Sequence, residues 1–397
     1  MVMTPEPTTS HSTDPSDPRT TGAARDARPD EALLHLDADF RRFLASLPTD
    51  RPTWFCFFST GLLHVVHHFL RFVPPELNCV FISSALDVEE AALRDRMSGG
   101  IPAYDMAERV GSHEIFEFLL RNTDRPFGIV DVDCFVTDTD WFDRCIEGLE
   151  PGVAVSGPLS YGPIPLAAPP FLALDPRVRP EIERAIGGPV TPAAYAYVPP
   201  GPEKEIDGAT VRLIEPHHER ALTRVLTLEA PRLPFPQGGV VDVLDDGREV
   251  RSHERYHHLH NGNEVIRVVF DGLMLYQLMA LAAGLRIAHF HAFPGTKVFA
   301  PQLVHAGGIS YWHRLRPSEI AAGIHELPWS AHIDALLLED FNQRPDAPAG
   351  YRVRSTRLAA ALRQSRTDVD RLRVELRTKL ATSGADVTDP RWAAVLD

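Results

Sequence analysis

Arg125-Pro126-Phe127-Gly128-Ile129-Val130-Asp131-Val132-Asp133-Cys134-Phe135-Val136 is a short apolar run that ends in two carboxylates spaced i, i+2. The run has the length of a buried strand, so the acidic pair falls at that strand's carboxyl end, beside a turn-prone segment. Carboxylates placed this way suit a hard divalent cation. Mg²⁺ and Mn²⁺ usually pair a few carboxylates with the phosphates of a substrate rather than fill an all-protein cage. A site for Mn²⁺ or Mg²⁺ with a diphosphate is the first expectation.

Outward from this segment, strand and helix alternate. Trp54-Phe55-Cys56-Phe57-Phe58 and Cys79-Val80-Phe81-Ile82 read as buried strands, with a helix from Leu62 to Phe72 between them. Asp87 followed by Glu90 has the form of a capping box, Ser112 to Asn122 is an amphipathic helix leading into the acidic strand, and Thr139 to Leu149 is a helix after it. Asp30 can cap a first helix through about Leu47. A later unit repeats the pattern: strand Val265 to Phe270, Asp271 as N-cap, helix Leu273 to Ala283, Gly284 at C′, and strand Leu285 to Phe290. This βαβ spacing predicts an α/β fold, a Rossmann-like mostly parallel sheet flanked by helices, with ligands beyond the carboxyl ends of the strands.

Residues 158–260 are dense in proline and glycine, and the apolar patch Phe171-Leu172-Ala173-Leu174 there shows little periodicity; an acceptor-side subregion is expected. Beyond residue 325 the chain turns helical. Leu358, Leu362, Val369, Leu372 and Leu376 form an apolar stripe over Ser355 to Leu380, which predicts one packed or dimerising helix. The expected organisation is a disordered tail over 1–29, a main domain over 30–325 and a helical C-terminal extension over 326–397.

Composition narrows the partners. With 397 residues and 44% hydrophobic content the chain can bury a large core, and its formal charge of −14 lacks the basic footprint of a nucleic-acid binder. The first 29 residues contain no apolar signal-peptide core. Val265 to Phe290 is interrupted by Arg267, Asp271, Gln277 and Arg286, so no integral membrane segment is predicted. Cys56, Cys79, Cys134 and Cys145 form no Cys-x-x-Cys pair and read as buried, reduced thiols of a cytoplasmic protein. Arginine in excess of lysine and abundant alanine point to a high-GC bacterial coding sequence.

The Asp-x-Asp strand end and the distant Leu303-Val304-His305-Ala306-Gly307-Gly308-Ile309-Ser310-Tyr311-Trp312 together resemble GT-A type nucleotide-sugar glycosyltransferases. In that superfamily an Asp-x-Asp pair and a C-terminal histidine hold one divalent cation against the donor diphosphate. His305 with Gly308 also resembles the His-x-x-Gly segment of the glycogenin-like branch, although Tyr311 stands where that branch places a lysine. The resemblance implies a nucleotide diphosphate sugar donor and an acceptor hydroxyl of unspecified identity. Asp133 would ligate the metal directly, Asp131 would ligate through water or hold the ribose, and His305 would complete the site. Gly307 and Gly308 would admit the phosphates closely. Ser59-Thr60-Gly61 sits where such folds receive the nucleotide, Asp87 after the second strand is placed to meet base or ribose, and His113 to face the donor. Asp271 is the candidate catalytic base, since inverting members place an acidic residue at a helix start; retaining members need no dedicated base.

Other motifs compete. His253-Glu254-Arg255-Tyr256-His257 matches the His-Glu-x-x-His pattern of zinc peptidases, yet the surrounding residues are polar and turn-prone rather than an amphipathic helix. Haloacid dehalogenase-like phosphatases and lesion-bypass polymerases also use Asp-x-Asp pairs, but near the chain start. A metal-dependent hydrolase and a nucleotide-sugar-binding module without turnover are the alternative functions.

Overall fold

A computed structural model describes residues 30–48, 50–159, 166–191, 273–292, 299–307, 309, 329–364 and 369–396, with short strands between 195 and 269. The elements begin with α1 (Asp30–Ala45), β1 (Thr53–Ser59), α2 (Leu63–Phe69), β2 (Cys79–Ser84), α3 (Val88–Ser98), β3 (Ala103–Met106) and α4 (Ser112–Asn122). Next come β4 (Phe127–Asp131), β5 (Cys134–Val136), α5 (Asp140–Glu147), β6 (Val153–Leu159), β7 (Phe171–Leu174) and α6 (Arg179–Ile186).

The short strands are β8 (Tyr195–Val198), the hairpins β9 (Glu205–Ile206) with β10 (Ala209–Thr210) and β11 (Val241–Val243) with β12 (Glu249–Arg251), then β13 (His257–His260) and β14 (Asn263–Val269). The chain continues through α7 (Met274–Ala282), β15 (Arg286–Ala292), β16 (Phe299–Ala300) and β17 (Leu303–His305). It closes with α8 (Trp329–Asn342), α9 (Ala349–Gln364), α10 (Val369–Thr382) and α11 (Pro390–Leu396).

Seven strands form the central sheet in the order β15-β6-β7-β4-β1-β2-β3. All neighbours run parallel except β7, which lies antiparallel between β4 and β6. This is the mostly parallel α/β sheet expected from the sequence, with two corrections: the strand read from Val265 is β14, which pairs antiparallel with β13 and β8 in a separate three-stranded sheet instead of joining the central one, and the second concerns the apolar patch after β6. Phe171-Leu172-Ala173-Leu174 is not part of a peripheral subregion; it is the fully buried β7 inside the sheet, between β6 and β4. Burial on both faces gives such a strand a continuous apolar run instead of an alternating one, so periodicity could not reveal it.

Side chains alternate across β1 and build two layers. Trp54, Cys56 and Phe58 point into one apolar cluster and Phe55 into the other, where Phe40 of α1 and Leu119 of α4 also pack. The first cluster continues without interruption into the C-terminal helices, through Leu336, Phe341, Leu372, Leu376 and Trp392. Leu358, Leu372 and Leu376 of the stripe are packed into the core, with Val369 against it, but they belong to two helices, α9 and α10, rather than one. Among the described residues no helix is long and apolar enough to cross a membrane. All four cysteines are buried, free thiols.

The helix after β14 differs from expectation at its start. Leu273, with φ of 70°, occupies the N-cap of α7 and caps it with no side-chain hydrogen bond. Asp271 was expected in that role and lies outside the described residues. At the other end Gly284 takes the left-handed conformation, φ 87°, that a helix C′ residue needs.

Candidate active site

The site grows from the end of β4. Phe127, Gly128, Ile129 and Val130 are buried between β1 and β7, and Asp131, the last residue of the strand, pairs in register with Phe57. Its amide donates to the Pro170 carbonyl at 2.8 Å, which fixes the strand end. A two-residue turn, Val132 and Asp133, then leads into β5. Val132 is buried, so the turn is pinned by its apolar residue while the carboxylates on either side of it are directed elsewhere.

β5 pairs antiparallel with β17, which sets Cys134 opposite His305. The Ala306 amide donates to the Asp133 carbonyl at 2.9 Å. These backbone contacts bring the histidine, remote in sequence, to the acidic pair. His305 Nε2 lies 3.5 Å from Asp133 Oδ1, and single ligand atoms of Asp131, Asp133 and His305 all lie within 4.8 Å of one another. Gly307, at φ 62°, turns the chain immediately after β17, and a Cβ there would come within 3.4 Å of the His305 ring. Gly308 lies outside the described residues.

Two carboxylates and an imidazole make an oxygen and nitrogen donor set that fits Mn²⁺ or Mg²⁺. Asp133 is 7% exposed, so its charge is poorly hydrated and gains from a counter-ion. The neighbouring Cys134 thiol stays protonated: burial, then the charges of Asp131 and Asp133, push it well above the ordinary thiol value.

Ser59, Thr60, Gly61 and Asp87 follow β1 and β2 at the carboxyl edge of the sheet. Ser59 ends β1 and pairs with Ser84 at the end of β2. The two residues after it are engaged by Glu90: its Oε2 accepts from Thr60 Oγ1 at 2.6 Å and its Oε1 from the Gly61 amide at 2.7 Å. Asp87 is exposed and caps α3 by accepting from the Glu90 amide at 2.8 Å. The capping box is thus only half made, because the Glu90 side chain turns away to the β1 loop instead of returning to Asp87. His113 is the second residue of α4, following the loop from β3.

Sequence reasoning missed Glu90 as the residue that holds the β1 loop, Tyr351 as its hydrogen-bond donor, and Arg354, which donates to the Gly61 carbonyl. Glu90 is 3% exposed, and a glutamate on the first turn of a helix gives no local signal that its carboxylate is buried. Of the zinc-peptidase pattern, His253 to Tyr256 lie outside the described residues, and His257 opens strand β13 rather than a helix face.

Comparison with known proteins adds to this geometry. Residues 32–179 match the StrH glycosyltransferase N-terminal domain and residues 299–392 the StrH C-terminal domain, so Asp131 and Asp133 fall in one and His305 in the other. A dTDP-dihydrostreptose–streptidine-6-phosphate dihydrostreptosyltransferase of Streptomyces griseus is 81% identical over 371 residues, 94% of this chain and 97% of that protein. Among solved structures, the glycosyltransferase GlyE of Streptococcus pneumoniae TIGR4 is 12% identical with a TM-score of 0.27, over 35% of this chain and 38% of GlyE.

Proposed function

The chain belongs to the StrH glycosyltransferase family, and on that premise we propose that it moves a dihydrostreptosyl group from a dTDP-activated donor to streptidine 6-phosphate. In this reading the site is of GT-A type, with a divalent cation, Mn²⁺ or Mg²⁺, held by Asp131, Asp133 and His305. The observation that carries it is the meeting of these three side chains at the carboxyl edge of a mostly parallel sheet, the edge where such sheets receive ligands. The pair of substrates follows the 81% identical relative.

The acceptor hydroxyl forms a bond to the anomeric carbon, the bond from that carbon to the diphosphate oxygen breaks, dTDP departs and the hydroxyl proton passes to a base. When bound, the cation supplies Lewis-acid stabilisation of the charge that develops on the leaving diphosphate. The chain's own residues provide the frame. The β4–β5 turn fixes Asp133, the β5–β17 pairing fixes His305, and the loop at Ser59, Thr60 and Gly61 borders the donor, with Asp87 and His113 at the same edge. Asp271 is the residue we assign to the acceptor proton, as a negatively charged base near the start of α7.

The test is a reaction of purified protein with dTDP-dihydrostreptose and streptidine 6-phosphate, followed by mass spectrometry. The expected result is the phosphorylated glycoside together with dTDP, abolished by EDTA and restored by Mn²⁺. Undiminished turnover in EDTA contradicts the metal assignment, and absence of product with either substrate contradicts the substrate pair.

A further inference from the structure

The loop leaving β1 is clamped by groups far away in the chain. Glu90, besides accepting from Thr60 and Gly61, accepts from the Tyr351 hydroxyl of α9, and that same hydroxyl accepts from the Leu63 amide at 3.1 Å. Arg354, one turn further along α9, donates through Nη1 to the Gly61 carbonyl at 2.9 Å and through Nη2 to Asp334 Oδ2 at 2.7 Å. Asp334 Oδ1 in turn lies 2.6 Å from His64 Nε2. Every polar backbone contact named here falls on residues 61–63, and the loop's first residue is tied to β2 through Thr60 N–H donating to the Ser84 carbonyl at 3.1 Å.

This is more than a helix packed on a core. Apolar packing alone, as at Leu336 or Leu376, would dock α8 to α10 without burying the Glu90 and Asp334 carboxylates and tying a guanidinium to one loop. Burying Glu90 at 3% exposure and Asp334 at 1% costs free energy unless each charge is fully bonded; the partners that satisfy them include Tyr351 and Arg354, which also hold the Leu63 amide and the Gly61 carbonyl. That loop continues the strand whose Phe57 lies beside Asp131. We infer that Tyr351 and Arg354 are positioning residues for the nucleotide donor: the C-terminal helices set the conformation of the β1 loop, so that donor affinity depends on residues that do not touch the donor. The inference rests on the donor-site reading above.

The experiment measures dTDP binding by calorimetry in the presence of Mn²⁺, with donor and acceptor KM and kcat, for wild type, Tyr351→Phe, Arg354→Met and the core variant Leu376→Ala, each with its Tm. Losing the hydroxyl that bonds both the buried Glu90 carboxylate and the Leu63 amide should weaken dTDP binding and raise donor KM about tenfold in Tyr351→Phe. The acceptor KM should be unchanged and kcat should fall less than donor KM rises. Leu376→Ala should lower Tm while leaving donor KM within twofold. Tyr351→Phe and Arg354→Met with wild-type dTDP affinity would overturn the inference, as would Leu376→Ala matching their KM effect. A wild-type protein that turns over substrate while the variants keep its donor KM refutes the positioning role alone; a wild type that binds no dTDP overturns the donor reading and this inference with it.

Discussion

Replacing Gly128 by alanine tests the packing that delivers Asp131 to the site. A Cβ at this position would lie 2.2, 2.3 and 2.5 Å from three carbons of the Trp54 indole, where ordinary contact begins near 3.4 Å. The ring would have to retreat by roughly 1 Å into a filled space. Trp54 is 2% exposed, stacks on Phe171 at a centroid distance of 4.9 Å and 17° between planes, and meets Phe142 edge-on at 4.8 Å. Overpacking of this kind costs about 3 kcal/mol, and Gly128→Ala should lower Tm by roughly 5 °C. Because Gly128 is three residues from Asp131 on one strand, transfer activity should fall as well. Trp54→Phe in the same chain provides room, so the double variant should be more stable than the sum of the single effects by about 1 kcal/mol or more. A Gly128→Ala protein melting within 1 °C of wild type would refute the reasoning, as would strict additivity with Trp54→Phe.

Further outcomes follow from other contacts. Burial is the main cause that lowers the pKa of His64, of His67 to about 4, and of His68 well below 6.5. The unfolded chain then binds more protons than the folded one between pH 6.5 and about 4, so stability is lost as pH falls through that window. Tm should drop from pH 7 to pH 5; His68→Phe, a ring placed among Phe72, Phe135 and Trp392, should flatten that drop, and a slope equal to wild type would contradict the assignment. Trp392→Ala removes the ring packed 4.8 Å from Phe72 and 5.6 Å from Phe135, and should cost about 3–5 kcal/mol in chemical denaturation; a loss below 1 kcal/mol would show that α11 is not part of the core. Asp271→Asn should reduce kcat by about 100-fold or more with little change in donor KM, measured by initial rates; an unchanged kcat removes it as the base.

The acidic strand was legible because its chemistry is local. Four apolar residues followed by two carboxylates can be read without knowing the rest of the chain, and the glycine turn after His305 marks where a strand ends. β7 was not legible, since a buried central strand and a loop patch of the same four apolar residues look alike until the neighbours on both sides are known. β6 hides for a related reason, carrying Gly157 and Pro158 near its end. The helical stripe near the C-terminus showed that those residues pack, but not that the stripe divides between α9 and α10. Glu90 was read as half of a capping box from its spacing to Asp87. Its actual partner, Tyr351, is 261 residues away, and no local pattern encodes a hydrogen bond at that separation. The candidate metal site lies between these cases: the pair could be read from one segment, while its meeting with His305 depends on the β5–β17 register.

The most direct measurement of the central claim is a Mn²⁺ titration followed by electron paramagnetic resonance, with dTDP present, for wild type, Asp133→Ala and His305→Ala. One Mn²⁺ bound per wild-type chain, with binding weakened at least tenfold in both variants and their folding preserved by circular dichroism, is the predicted result. Variants that bind Mn²⁺ as wild type does would contradict the assignment of Asp131, Asp133 and His305 as the cation site.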